Sequence, residues 1–330
     1  MTERDKIKFE RLCDIFRRNF RVTRLYARYL EDCPKIITKE MIDTLTEDGD
    51  IETEAAISAL LCEIFNLDFE DSDDRRIIMD YITPSIRLLD AKKYENDPYY
   101  KSIHLEDLTD GNWEIRWEEY APYQAVICHD MIISDDFKEI PPLGFFPDGF
   151  RFPAILEGGN EWMTLTPVDL DTCEEAIEAA RGKVVTFGLG LGYYAYMAAE
   201  KEEVESVTVV ELSEDVIRLF KEHILPQIPN KHKISIVNSD AFEYAEKVMP
   251  KEGFDVAFVD TWRDASDGAP MYKKMKALEK HSPNTSFLYW VEGFLRSRLR
   301  AEKICDYIEA YEDGVLEEDY STVEENLKKI

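Results

Sequence analysis

The 330-residue sequence predicts an α/β protein: a doubly wound, mostly parallel sheet in the C-terminal half, preceded by a mainly helical N-terminal domain. Three observations carry this expectation. From Gly182 onward, short β-branched runs alternate with helical patterns. Those runs are apolar without a break, as strands covered on both faces are. Residues 1 to about 92 instead place apolar side chains at three- and four-residue steps, the helical rhythm.

The elements follow in chain order. In the first helix Phe9, Leu12, Cys13, Phe16 and Phe20 form one apolar face. A second helix is expected over residues 51–67, with Ala55, Ala59, Leu60 and Phe65 inward, after the acidic turn Glu47-Asp48-Gly49-Asp50. A third covers 73–89, bent or interrupted at Pro84. Residues 93–150 are rich in Pro, Gly, Asp and aromatics, and Trp113-Glu114-Ile115-Arg116-Trp117 alternates like a strand. Pro141-Pro142, Gly144 and Pro147-Asp148-Gly149 are turn chemistry. They set a domain boundary at 145/146, giving domains 1–145 and 146–330. Residues 152–165 read as a hairpin around Gly158-Gly159-Asn160. Strands are then expected at 184–187, 206–210, 234–237, 256–259 and 286–291. Helices are expected at 193–200, 214–224, from Ala241, near 271–280 and at 294–311, followed by an acidic tail.

Composition narrows the function. With 45% apolar residues and 12% aromatics the chain can bury a core. Its 69 acidic against 40 basic residues give a formal charge of −29, a field that repels the phosphates supplying much of nucleic-acid affinity. Cationic partners are favoured, unless the acidic surface serves solubility alone. The six cysteines form no C-x-x-C pair and the five histidines are dispersed, so neither a disulfide framework nor a metal site is expected. No signal-peptide pattern opens the chain and no apolar run nears the ~20 residues that span a bilayer, so a cytoplasmic protein is expected.

Ligands of open α/β sheets lie beyond the carboxyl ends of the strands, near the switch point. After the first strand stands Gly188-Leu189-Gly190-Leu191-Gly192, a turn in which backbone can approach a ligand closely. A dinucleotide fingerprint counted from Gly188 needs a small residue where Tyr193 stands, so the NAD reading fails. Glu211 ends the second strand and can accept from two ribose hydroxyls, or cap the following helix. Asp240, before Ala241, can accept from an exocyclic amine or act as an N-cap. Asp260 ends the fourth strand, where an emerging carboxylate needs a partner or a task. Trp262 either walls an acceptor site, holding a cation against its ring, or packs in the core.

On these residues, 182 to about 290 resemble class I S-adenosylmethionine-dependent methyltransferases, with residues 184–192 similar to their first motif. The resemblance implies a Rossmann-like fold with S-adenosyl-L-methionine as cofactor. It implies that Phe187, Gly188, Leu189, Gly190 and Gly192 face the methionine part, Glu211 and Leu212 the ribose, and Asp240 and Ala241 the adenine. Asp260 would stand beside the reactive sulfonium as the candidate base. The acceptor would be a small molecule or protein, recognised with help from the N-terminal domain. Two departures stand out: Thr186 replaces an acid two places before the first glycine, and the usual final hairpin is missing, for which residues 152–165 are a candidate substitute. The same segments are similar to spermidine-synthase-like aminopropyltransferases, which use decarboxylated S-adenosylmethionine. There the departures are Leu191, where that family has an acid, and Thr261-Trp262-Arg263-Asp264 in place of its D-x-x-D-P. A non-catalytic adenosyl-binding scaffold is the third reading.

Three features are set aside. Asp97-Pro98-Tyr99-Tyr100 imitates an amino-methylation motif but lies far upstream and reads as a turn. Residues 4–28 carry nine Lys/Arg against three acids, which suits a solvated face, or pairing with acids such as Glu317, Glu318 and Asp319, better than nucleic acid. Trp113, Trp117, Tyr120 and Tyr123 suit a small-domain core better than an acceptor pocket.

Overall fold

The computed structural model describes residues 1–263 and 265–330. They form two compact units that interleave along the chain. One comprises Met1–Leu89, Ala121–Gly149 and Gly293–Ile330; the other comprises Asp90–Tyr120 and Phe150–Glu292. The sequence reading draws one boundary at 145/146, whereas the chain passes between units after Leu89, Tyr120, Gly149 and Glu292. Turn-rich segments mark where a chain changes direction, not how often it returns.

The first unit is led by the helix Glu3–Asp32, opened by a Thr2–Asp5 capping box. Phe9, Leu12, Cys13 and Phe16 are buried against Phe137, Ile304, Tyr307, Val323 and Leu327. Phe20 departs from the expected face and is 42% exposed, because Asn19 takes the inward position instead. The Asn19 amide donates to the Phe137 carbonyl at 2.8 Å and its oxygen accepts from the Tyr81 hydroxyl at 2.9 Å. The next helix runs Thr53–Ile64, inside the expected 51–67. The third does not reach 89. It runs Ser72–Ile77, widens over Ile78–Ile82, and stops at Ser85, one residue past Pro84. The chain then forms the strand Ile86–Leu88, parallel to Leu143–Phe145. The basic island meets Asp73 and Asp74 through Arg18 and Arg21 (2.8 and 2.6 Å) rather than the 317–319 acids. The acidic tail ends in a helix, Tyr320–Lys329, which buries Val323 and Leu327.

The second unit holds both sheets that matter for the site. Leu108–Asp110, Trp113–Tyr120, Phe150–Glu157 and Asn160–Thr164 form a four-stranded antiparallel sheet in that order. Gly158 and Gly159 (φ 58° and 78°) make the tight hairpin whose two positive φ values match the right-handed twist of the strands. This hairpin pairs with Trp113–Tyr120, so it does not replace the missing end of the parallel sheet.

The parallel sheet has five strands: β1 (Gly182–Phe187), β2 (Val204–Glu211), β3 (Ile234–Asn238), β4 (Val256–Val259) and β5 (Ser286–Tyr289). Their order is β3-β2-β1-β4-β5, all parallel. Among the described residues the sheet has no sixth strand, and its order changes direction between β1 and β4, where ligands of open α/β sheets lie. Among the described residues no helix is long and apolar enough to cross a membrane.

Phe187 is fully buried and meets the Tyr244 ring edge-on at 6.2 Å. Its side chain belongs to the core, and its backbone lies at the strand end. Phe187→Ala is expected to cost about 3–5 kcal/mol of stability, the usual effect of emptying a packed aromatic site. Urea denaturation checks this; a loss below about 1 kcal/mol would contradict the packing role.

Candidate functional site

The site is built where β1 and β4 end. The Asp260 N–H donates to the Phe187 carbonyl at 2.8 Å, and the Gly188 N–H donates to Val210 at 2.9 Å. Gly188 has φ +98°, and a Cβ there would lie 1.9 Å from the Asp260 carbonyl oxygen. Only glycine can pass. Gly190 and Gly192 also have positive φ, and the turn delivers the chain into the helix Tyr193–Glu200. The expected glycine turn is therefore present at the switch point.

A small cavity of about 20 Å³ lies beside it, lined by Met163, Asp169, Cys173, Thr186, Gly188, Leu189, Asp260 and Trp290 among others. Of the residues expected from sequence, Gly188, Leu189 and Asp260 share this cavity. Asp260 carries its most perturbed carboxyl, pushed up to about 8 by burial first and then by the neighbouring Asp169 and Glu211 carboxylates. Asp169 is raised to about 6 by burial, although its Oδ2 accepts from the Thr166 N–H and hydroxyl, both at 2.8 Å. Burial also holds the Cys173 thiol well above its ordinary range. Among the described residues no basic side chain lines the cavity.

The other expected residues are arranged differently. Glu211 accepts from the Leu189 N–H at 3.0 Å and the Ser213 N–H at 2.7 Å, so both its oxygens already hold backbone. Each retains a lone pair for a further donor. Asp240 accepts from Phe242 and Glu243 N–H groups at 3.0 and 2.9 Å: the N-cap alternative is the observed one. Leu212 is 68% exposed. Ala241 is buried at the start of its helix. Trp262 is buried and stacked on Tyr289 (6.4 Å, 13°), the core alternative, although its indole N–H has no acceptor among the described residues. Asp264, part of the contrast with D-x-x-D-P, lies outside the described residues.

Met163, Asp169 and Cys173 are contributors that strand-end counting does not reach. Asp169 and Cys173 arrive from the short helical stretch after the hairpin, and Met163 from the strand Asn160–Thr164. A Thr166-x-x-Asp169 capping box was the one readable signal among them. Asp97-Pro98-Tyr99-Tyr100 is not a free turn: Asp97 caps the helix Pro98–Ser102, and the Tyr99 hydroxyl donates to the Leu191 carbonyl at 2.5 Å. It braces the glycine turn from behind. Trp113, Trp117, Tyr120 and Tyr123 are absent from the cavity lining. Among the described residues no three His, Cys, Asp or Glu side chains gather as a metal-holding set.

An adenosyl group does not fit this closed conformation. Ligand pockets typically offer about 300–1,000 Å³, whereas about 20 Å³ holds a water. The Met163 sulfur stands 1.6 Å from where a Cβ of Gly190 would be. It occupies the hollow that the missing side chain leaves.

Comparison with solved structures gives partial likenesses. The chain is 15% identical to a spermidine synthase from Thermotoga maritima, over 46% of this chain and 59% of that one, with a TM-score of 0.33. It is 17% identical to precorrin 8w decarboxylase from Methanobacterium thermoautotrophicum, over 37% and 62%, at 0.28. It is 16% identical to a protein from Klebsiella pneumoniae assigned as an O-methyltransferase, over 31% and 44%, at 0.24. The chain spans less than two thirds of each one's length. No protein-family model and no curated protein matches it.

The Asp260 carboxyl gives a pH test. The native state holds a proton to about pH 8 that an unfolded Asp releases near pH 3.9. The folded state thus binds more protons across that window, and this contribution to stability is lost as pH rises through it. Asp260→Asn should flatten the fall in urea stability between pH 5 and pH 8. Equal falls in both proteins would show that the group titrates normally.

Proposed function

We propose that the second unit binds an adenosyl ligand of the S-adenosyl-L-methionine type and acts as a methyltransferase on a small-molecule or protein acceptor of cationic character. The observation that carries this reading is the glycine turn, sutured to β4 at the switch point with the Asp260 carboxyl beside it. S-adenosyl-L-methionine supplies an electrophilic methyl group on a sulfonium cation. What this chain supplies is binding and orientation.

Glu211 supports the reading through its anchoring. Two backbone N–H groups fix its carboxylate, so the remaining lone pairs face a ribose at little cost in ordering. Leu212, exposed beyond it, offers an apolar flank. Asp240 spends Oδ1 on the helix and keeps Oδ2 for an adenine amine, beside Ala241. In the turn, the Leu191 N–H, held only by the Met163 sulfur, is the donor for the ligand's tail. Asp260 and Asp169 make the cavity hospitable to positive charge, because a cation between them favours their ionised forms.

The same acid pair gives some support to aminopropyl transfer, which handles amines. Against it stands Leu191, which is fully buried and offers no carboxylate. The two readings part on the ligand's carboxylate. Calorimetry should show S-adenosyl-L-methionine and S-adenosylhomocysteine binding at least about tenfold (about 1.4 kcal/mol) tighter than decarboxylated S-adenosylmethionine. The reverse preference would install the aminopropyl reading, and silence from all three would leave a scaffold.

A further inference from the structure

The strand Asn160–Thr164 is an edge strand, paired on one side only, to Phe150–Glu157. Its register slips there: Met163 faces Ile155 and Glu161 faces Leu156, which leaves Trp162 as the extra residue of a β-bulge. Bulges re-aim the side chains next to them. Here the side chain beside the bulge is Met163, which is half-buried and reaches the glycine turn. Its sulfur accepts the Leu191 N–H at 3.2 Å and sits in the hollow at Gly190.

Chemistry makes this occupant exchangeable. A thioether is a weak acceptor, so the Leu191 N–H gains by trading it for a carboxylate or carbonyl oxygen. Methionine is unbranched with three rotatable bonds, so it can leave by rotamer change without moving the strand. Around it the structure is fastened: the Leu165 N–H donates to Pro153 and the Tyr100 hydroxyl to the Leu165 carbonyl. The turn is held behind by Tyr99. Met163 is the adjustable part between two fixed ones.

We propose that Met163 is a displaceable plug: its thioether seals the glycine turn in the closed conformation and swings out when the tail of an adenosyl ligand reaches the Leu191 N–H. This rests on the adenosyl reading above and adds its control of access. Binding then carries the penalty of the sealed population, since apparent affinity scales with the open fraction.

The test is calorimetry with S-adenosylhomocysteine on the full chain and its Met163→Ala and Met163→Leu variants, with ε-methyl NMR of labelled methionine in the wild type. A plug seated in about 70–90% of molecules predicts that Met163→Ala binds about three- to tenfold tighter. Met163→Leu, of similar volume, should stay within about twofold of wild type. The Met163 methyl resonance should move on saturation. Unchanged or weaker binding by Met163→Ala, or a methyl resonance that stays put at saturation, overturns the plug and leaves the adenosyl reading standing. Failure of all three proteins to bind overturns both.

Discussion

The close passage of backbone between β1 and β4 governs the rest of the second unit. Gly188 runs so near the Asp260 carbonyl that no side chain could stand between them. Hydrogen bonds from Asp260 to Phe187 and from Gly188 to Val210 tie three strand ends together within one residue of that point. With β1 stitched to both neighbours, the chain must turn sharply out of the sheet. It does so through three left-handed glycines, the last of which opens the helix Tyr193–Glu200. The same stitching fixes where Asp260 leaves β4. The turn and the carboxyl are neighbours by construction.

That construction is reinforced by three tyrosine hydroxyls. The Tyr193 hydroxyl donates to Asp97 at 3.1 Å, the Tyr196 hydroxyl bonds the Pro98 carbonyl and the Ser102 hydroxyl, and the Tyr99 hydroxyl donates to Leu191. Tyr193 is the residue that rules out the dinucleotide fingerprint in the sequence. Its ring is buried and lies edge-on to Tyr99 at 5.7 Å, packing against the short helix Pro98–Ser102. A bulky residue after the third glycine is tolerated because that helix is there to receive it.

Such relations explain what could be read in advance. Strands 184–187 and 256–259 and the helix at 193–200 follow from local patterns, and the structure agrees to within two residues. The glycine turn and Asp260 were legible for the same reason: strand ends can be counted along the chain. Asp240 shows the limit, since one local competitor, the cap of its own helix, claims its Oδ1. Met163, Asp169 and Cys173 could not be found this way. They belong to another sheet and its following helices, and only tertiary packing brings them to the turn. The failed helix at 86–89 has a similar cause, because the parallel partner of Ile86–Leu88 lies more than fifty residues away at Leu143–Phe145.

In the proposed reading, the closed cavity combines two economies that a ligand reverses together. Its charge is suppressed: with a carboxyl pKa of about 8, Asp260 is roughly one-tenth ionised at pH 7. Its volume is suppressed by the Met163 side chain in the Gly190 hollow. Both follow from removing water, since a buried pair of carboxylates and an open apolar hollow are each costly without a partner. A neutral ligand that displaced the thioether would leave the acids protonated and gain only contact. A cationic one gains contact and also draws Asp260 toward its ionised form, so it uses both halves of the arrangement. In the proposed reading, the selectivity of the site therefore lies with positively charged ligands.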